Sequence, residues 1–392
     1  MNNYFLTFLI EFFFFTALFL FFCSDWAKKN LRRRKIYLTC LVLTILTQVA
    51  AAAVLRREVG DVMLFSGTGW HLRHKIDYYF IDSDHSQYPF FPVMIFIYAP
   101  INWFIETVFP GLTFSFYLKL LLLVGLYYLA FKIKDRARRL QFLTAPVTYA
   151  TVVFHGQTDV LVTALLVLAS SRKLVLSALS FAVSIGVKTW PALLWPVFAR
   201  RLKLKPLLVF TAIIWFFLFA DVFASTRYVF GSGFRVVLPA VLKAGGPPGQ
   251  WGLTYFFPQF SLPFFAVLFA AGQWLLLKIK APFYQQVFIN LLFIYLILPR
   301  WGIQYLFWLW PFLFLTKLID RLPGVKTYLL AVFSYLFLNY ANVASGLTVF
   351  SSKLIWLLGL IIWFIFLFWF IVLLLPTLQA RGLAAGGRPP RR

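Results

Sequence analysis

Three acidic positions in the first third of the chain have the type and setting for chemistry. Asp61 stands in Gly60-Asp61-Val62-Met63-Leu64-Phe65, a few residues after a long apolar run. A carboxylate there lies at the membrane–water boundary, where it fits a general base or ligand working at headgroup depth, or a solvated loop acid. Asp82-Ser83-Asp84 has a spacing that chelates a divalent cation against a diphosphate, and it is also a common tripeptide of polar loops. Asp77, His71, His74 and His85 surround it, but their irregular spacing does not write a closed metal site. A divalent cation is therefore compatible with the segment and not indicated by it.

Further along, His155-Gly156-Gln157-Thr158-Asp159 interrupts two apolar arms. Polar groups at such depth are costly and usually face a cavity or one another. Thr158 or Asp159 capping the following helix is the plainer alternative. Lys188, in Gly186-Val187-Lys188-Thr189-Trp190-Pro191, and Arg300, in Pro299-Arg300-Trp301-Gly302-Ile303-Gln304-Tyr305, are cations outside the main basic clusters. Arg227, Arg235 and Lys243 occupy a loop between apolar runs. Taken singly, each cation also fits a side chain reaching out to anionic headgroups. Taken together, acids and cations describe a pocket suited to a phosphate.

The elements that hold these residues follow from composition. Of 392 residues, 62% are hydrophobic, 21% aromatic and 12% charged, against about a quarter charged in a soluble chain. With a mean hydropathy of +0.83, lipid must solvate the chain. The net charge of +25 would point a soluble protein toward nucleic acid. Here most Lys and Arg cluster in short segments between apolar runs, where they mark cytoplasmic loops and argue for no nucleic-acid partner. The two cysteines, Cys23 and Cys40, lie inside apolar runs and write no disulfide framework.

Spans of about 20 apolar residues, placed so that basic clusters stay on one side, predict an all-α polytopic bundle of about 13 transmembrane helices. Tyr4–Cys23 is expected to be a retained anchor with its N-terminus outside, followed by the basic run Lys28–Lys35. Ile36–Leu55 leads out to an external segment. Tyr88–Phe109, broken by Pro89, Pro92 and Pro100, is expected to be interfacial or re-entrant rather than a span, because a crossing there would put the Lys132–Arg139 cluster outside. Leu112–Phe131 then crosses. Two hairpins of short helices follow, turning near His155–Gln157 and near Lys188–Pro191. Leu207–Ala224, Leu253–Leu277, Phe283–Leu298, Gln304–Leu315, Tyr328–Ala344 and Leu354–Leu375 complete the bundle. The chain divides into an N-terminal span and basic loop (1–35), a module containing the acidic loop 56–111 (36–224), a C-terminal helical module (225–376) and a disordered cytoplasmic tail (377–392).

In order, Gly60-Asp61, Tyr88-Pro89-Phe90-Phe91-Pro92, the Gly156–Asp159 turn, the Lys188–Pro191 turn and Arg300-Trp301-Gly302-Ile303-Gln304-Tyr305-Leu306-Phe307-Trp308 resemble the GT-C superfamily of membrane glycosyltransferases. The likeness is greatest to the polyprenol-phosphate-mannose-dependent mannosyltransferases and covers about Arg56 to Pro311. Two features depart from that pattern: two spans precede the acidic loop instead of one, and Phe90 replaces a proline.

The resemblance implies transfer of a sugar, mannose for preference, from a polyprenyl-phosphate donor to a lipid or glycan acceptor on the outer face, with inversion. Asp61 would be the general base, with Asp82 or Asp84 the rival acid. Lys188, Arg227, Arg235 and Arg300 would bind the donor phosphate. Tyr88, His155, Gln157, Asp159, Trp190, Trp301 and Gln304 would line the substrate site. No cofactor is required, and membrane lipids are the standing partners. A bacterial-type inner or plasma membrane is implied in preference to the endoplasmic reticulum. The competing reading is a transporter or lipid flippase, which would carry polar groups along a path through the midplane. Near the midplane of the predicted spans ionisable residues are nearly absent, Glu11 and Lys119 being the exceptions.

Overall fold

A computed structural model describes residues 3–55, 61–74, 92–109, 111, 113–171, 173–202, 261–298 and 302–386. All regular structure among them is helical. The expected span Leu207–Ala224 and the loop that follows it lie outside the described residues.

Five helices are long and apolar enough to cross a membrane, as in an integral membrane protein. They are α1 (Asn3–Cys23), α3 (Arg34–Val54), α6 (Phe114–Lys132), α15 (Val325–Ser345) and the first 24 residues of α16 (Ser352–Gly386). α1 shows why lipid is required. Phe8, Phe12, Phe15, Phe19 and Phe22 face the bundle, yet Leu6, Ile10, Phe13 and Leu20 on its other side are exposed. A helix apolar all round has no face for water.

The helices break at both polar turns singled out in the sequence. α7 (Arg136–Thr144) and α8 (Pro146–Thr148) run into a π-helix, Tyr149–Phe154. The chain then bends by 113° into α9 (Asp159–Leu168). α10 (Leu174–Val187) is followed by a 3-10 turn, Trp190–Leu194, and by α11 (Trp195–Leu202). α12 (Ser261–Leu276), α13 (Phe283–Ile297) and α14 (Leu306–Leu315) are shorter apolar helices. α16 runs on through Gly386, so residues 377–386, expected as disordered tail, are helical. Their Ala and Leu content outweighs Gly382.

Basic segments meet at one end of the bundle. Arg136, behind α6, donates to the Arg32 carbonyl between α2 (Asp25–Asn30) and α3 at 2.6 Å. Arg138 pairs with Asp320, and Arg200 donates to the Leu277 carbonyl. Asp135 caps α7, accepting from the Arg138 amide at 2.8 Å.

At the opposite end two 13-residue helices, α4 (Asp61–Arg73) and α5 (Ile95–Thr107), lie side by side. Phe65 stacks on Tyr98, Asn102 donates to the Ser66 carbonyl at 2.9 Å, and Arg73 pairs with Glu106. Contacts that advance together along both helices make the pair parallel. At about 1.5 Å per residue each is about 20 Å long, short of a bilayer's roughly 30 Å core. Where described, the Tyr88–Phe109 segment is thus a 3-10 turn followed by a 13-residue helix.

Candidate functional site

Two turns that the sequence singled out meet inside the bundle. Asp159 opens α9 and Lys188 follows the last residue of α10. Lys188 Nζ lies 2.7 Å from Asp159 Oδ2 and donates to Gln157 Oε1 at 3.1 Å. A third element joins them, as Trp308 of α14 donates its indole N–H to Asp159 Oδ1 at 2.6 Å. Both carboxylate oxygens are thus satisfied, and both charged side chains are buried. Neither a helix cap nor a headgroup-seeking lysine describes them: the Asp159 carboxylate turns to Lys188 and Trp308, and the N-cap residue Thr158 makes no side-chain cap bond. A buried pair of this kind is costly to break, because the remaining partner is left as an uncompensated charge.

Aromatic rings pack beside the pair. Trp308 stacks on Trp190 at a 4.0 Å centroid separation and on Tyr305 at 4.2 Å, both nearly parallel. Two rings that close to one centroid would collide on the same face, so Trp308 is sandwiched between them. Trp190 Nε1 is buried with no hydrogen-bond partner, a donor left unused at the edge of the stack.

A hydrogen-bonded chain leads away from Lys188. The Gln157 amide lies 3.1 Å from His155 Nε2, and His155 Nδ1 lies 2.9 Å from the Tyr340 hydroxyl on α15. With the imidazole proton on Nδ1, donors run in one direction, from Lys188 to Gln157, to His155, to Tyr340.

Close glycine contacts bring the remaining motifs here. Gly156 adopts φ +69°, a left-handed conformation that turns the chain between the π-helix and α9. A Cβ at Gly156 would stand 3.0 Å from Val62 Cγ2 and 3.8 Å from Lys119 Cε. The first turn of α4, which begins at Asp61, therefore packs on the Gly156 turn. A Cβ at Gly186 would stand 2.4 Å from Val93 Cγ2, so the turn after Pro92 rests on α10 just ahead of Lys188.

Of the residues expected at the site, Asp159, Gln157, His155, Lys188 and Trp190 are brought together. Asp61 begins α4 at the edge of this cluster. Gln304 is half-buried in the 3-10 turn Ile303–Tyr305, its amide folded back close to Gly302. Asp82, Asp84, Tyr88, Arg227, Arg235, Arg300 and Trp301 lie outside the described residues. Among the described residues no three His, Cys, Asp or Glu side chains gather in the way a metal site needs.

Sequence reasoning missed three participants. Trp308 ended a quoted motif without being given a part. Tyr340 sits in a largely apolar helix between Asn339 and Asn342, and nothing in that local pattern says that its hydroxyl meets His155. Lys119 reads in the sequence only as a charge inside an apolar run. No family model matches the chain, and no curated protein or solved structure matches it either.

Proposed function

We propose that the chain is a multi-pass membrane glycosyltransferase of the GT-C kind. In this reading about 13 spans surround a site on the outer face of a bacterial-type membrane, and the parallel α4–α5 pair lies along that face. A sugar, mannose for preference, passes from a polyprenyl phosphate to a hydroxyl of a lipid or glycan acceptor. Asp61 takes the acceptor proton as its oxygen attacks the anomeric carbon, and the bond to the phosphate oxygen breaks with inversion. Nearby cations stabilise the departing phosphate. The Asp159–Lys188–Trp308 cluster holds the turns in place.

The observation that carries this reading is convergence. Gly60-Asp61, the segment after Tyr88–Pro92, Gly156–Asp159, Lys188–Pro191 and Trp308 are far apart in sequence. The first turn of α4, Val93 and the two polar turns nevertheless share one region of contacts. Convergence of polar motifs at one end of a bundle suits a lipid-linked substrate, whose tail stays in the bilayer while its sugar sits at the interface.

The test is transfer by purified protein in nanodiscs, with polyprenyl-phosphate mannose and a membrane lipid extract. Sugar transfer with release of polyprenyl phosphate is expected, falling about 100-fold or more in Asp61→Asn, as the loss of a general base would produce. Undiminished turnover in folded Asp61→Asn would remove the base assignment and favour Asp82 or Asp84. The transporter reading draws on half-buried Glu11 and buried Lys119, ionisable groups within helices long enough to span. Lipid-linked sugar crossing a proteoliposome membrane with no bond made would establish that reading instead.

A further inference from the structure

Buried charges in proteins are paired, because an isolated one is too costly to keep. Lys188 obeys this rule and Lys119 does not. Lys119 is completely buried in α6, and its ammonium donates to the carbonyl of Leu55, at the end of α3. None of the ion pairs within 4.0 Å among the described residues includes it. Glu11 acts on it only from a distance, and the Glu11 carboxylate is itself 3.0 Å from the Tyr149 hydroxyl. An ammonium has three N–H donors, so two remain unused.

One turn nearer the end of α6, Ser115 is also completely buried, and its hydroxyl has no hydrogen-bond partner. Residues four apart share a helix face. Together the two unused Lys119 donors and the Ser115 hydroxyl are a donor set without its acceptor. Lys119 is the sixth residue of α6, about 8 Å along the helix from the end opposite the basic segments. That is a depth a lipid phosphate reaches.

We propose that Lys119 and Ser115 hold the phosphate of the lipid-linked substrate. This rests on the reading of that substrate as a polyprenyl phosphate. The phosphate supplies the missing counter-charge through charge-assisted hydrogen bonds. Lys188, neutralised by Asp159, holds the two turns together instead. Gly156 contacts both Val62 and the Lys119 stem, so phosphate reaches Lys119 when the first turn of α4 parts from the Gly156 turn.

The full chain, in detergent, is titrated with undecaprenyl phosphate and with undecaprenol, and binding is read by native mass spectrometry. Wild-type protein is expected to favour the phosphate by about tenfold or more, and Lys119→Met to erase that preference. Lys119→Arg should retain most of it. Ser115→Ala should weaken phosphate binding about three- to tenfold at an unchanged melting temperature, since its hydroxyl bonds nothing in the unliganded protein. Full preference in both Lys119→Met and Ser115→Ala overturns the proposal and leaves the polyprenyl-phosphate reading intact. Equal binding of phosphate and alcohol by wild-type protein overturns that reading and the proposal with it. If Lys119→Met does not fold, Ser115→Ala decides: unweakened binding counts against the site.

Discussion

At the scale of single residues, the buried Asp159–Lys188 pair dominates. Asp159→Asn leaves a buried ammonium without its counter-charge, and Lys188→Met leaves a buried carboxylate without its cation. Each is expected to cost about 3–5 kcal/mol of stability. The double replacement Asp159→Asn with Lys188→Met removes both charges and should cost less than the two single changes together, which a thermodynamic cycle from denaturant melts in detergent would measure. Additive losses would mean that the two groups do not interact. Gly156 offers a second test, with Gly324 as its control. Both adopt positive φ, +69° and +73°, but a Cβ at Gly324 meets nothing within 4 Å. Each Gly→Ala change should cost about 1–2 kcal/mol of backbone strain. Gly156→Ala should cost about 1 kcal/mol more through Val62 and should also lower turnover, because it displaces the helix that carries Asp61. Equal stability losses and unchanged turnover in the two variants would separate the Gly156 turn from the site.

At the scale of elements, the α4–α5 pair depends on a glycine the sequence did not mark. A Cβ at Gly69 would stand 2.7 Å from the carbonyl carbon of Tyr98 and 2.6 Å from Asn102 Nδ2. Backbone cannot yield as a side-chain tip can, so Gly69→Ala should prise the helices apart at a cost of about 1–3 kcal/mol. Hydrogen exchange should rise across 61–73 and 95–107 while the bundle core stays protected, and an unchanged exchange pattern would contradict the close parallel packing. The helix breaks at the two polar turns and the shortness of the helix Ile95–Thr107 were legible in sequence, because polar insertions and prolines interrupt the apolar runs there. Partner choice was not legible. Nothing in Asp159, Lys188 or Trp308 taken alone says that an acid, a cation and an indole from three separate segments share one bonded cluster. That is settled by packing between helices, which leaves no local periodicity.

At the scale of the whole molecule, charge divides the bundle into two ends. Arg136, Arg138 and Arg200 tie the basic segments together at one end, while the polar turns and α4–α5 gather toward the other. The concentration of basic residues was readable as a topological signal, but the exception that matters was hidden in it. Lys119 sits in a span, where a sequence shows only an isolated charge; its buried, unpaired state is a property of the folded bundle. In the proposed mechanism, lipid phosphate and sugar meet at the junction of α4, the Gly156 turn and Lys119. The most direct measurement is an electron cryo-microscopy structure with a non-transferable phosphonate analogue of polyprenyl-phosphate mannose. The anomeric carbon is expected beside Asp61 and the phosphonate on Lys119. An anomeric carbon facing Asp82 or Asp84 with the phosphonate remote from Lys119, or a lipid bound away from these turns, would contradict it.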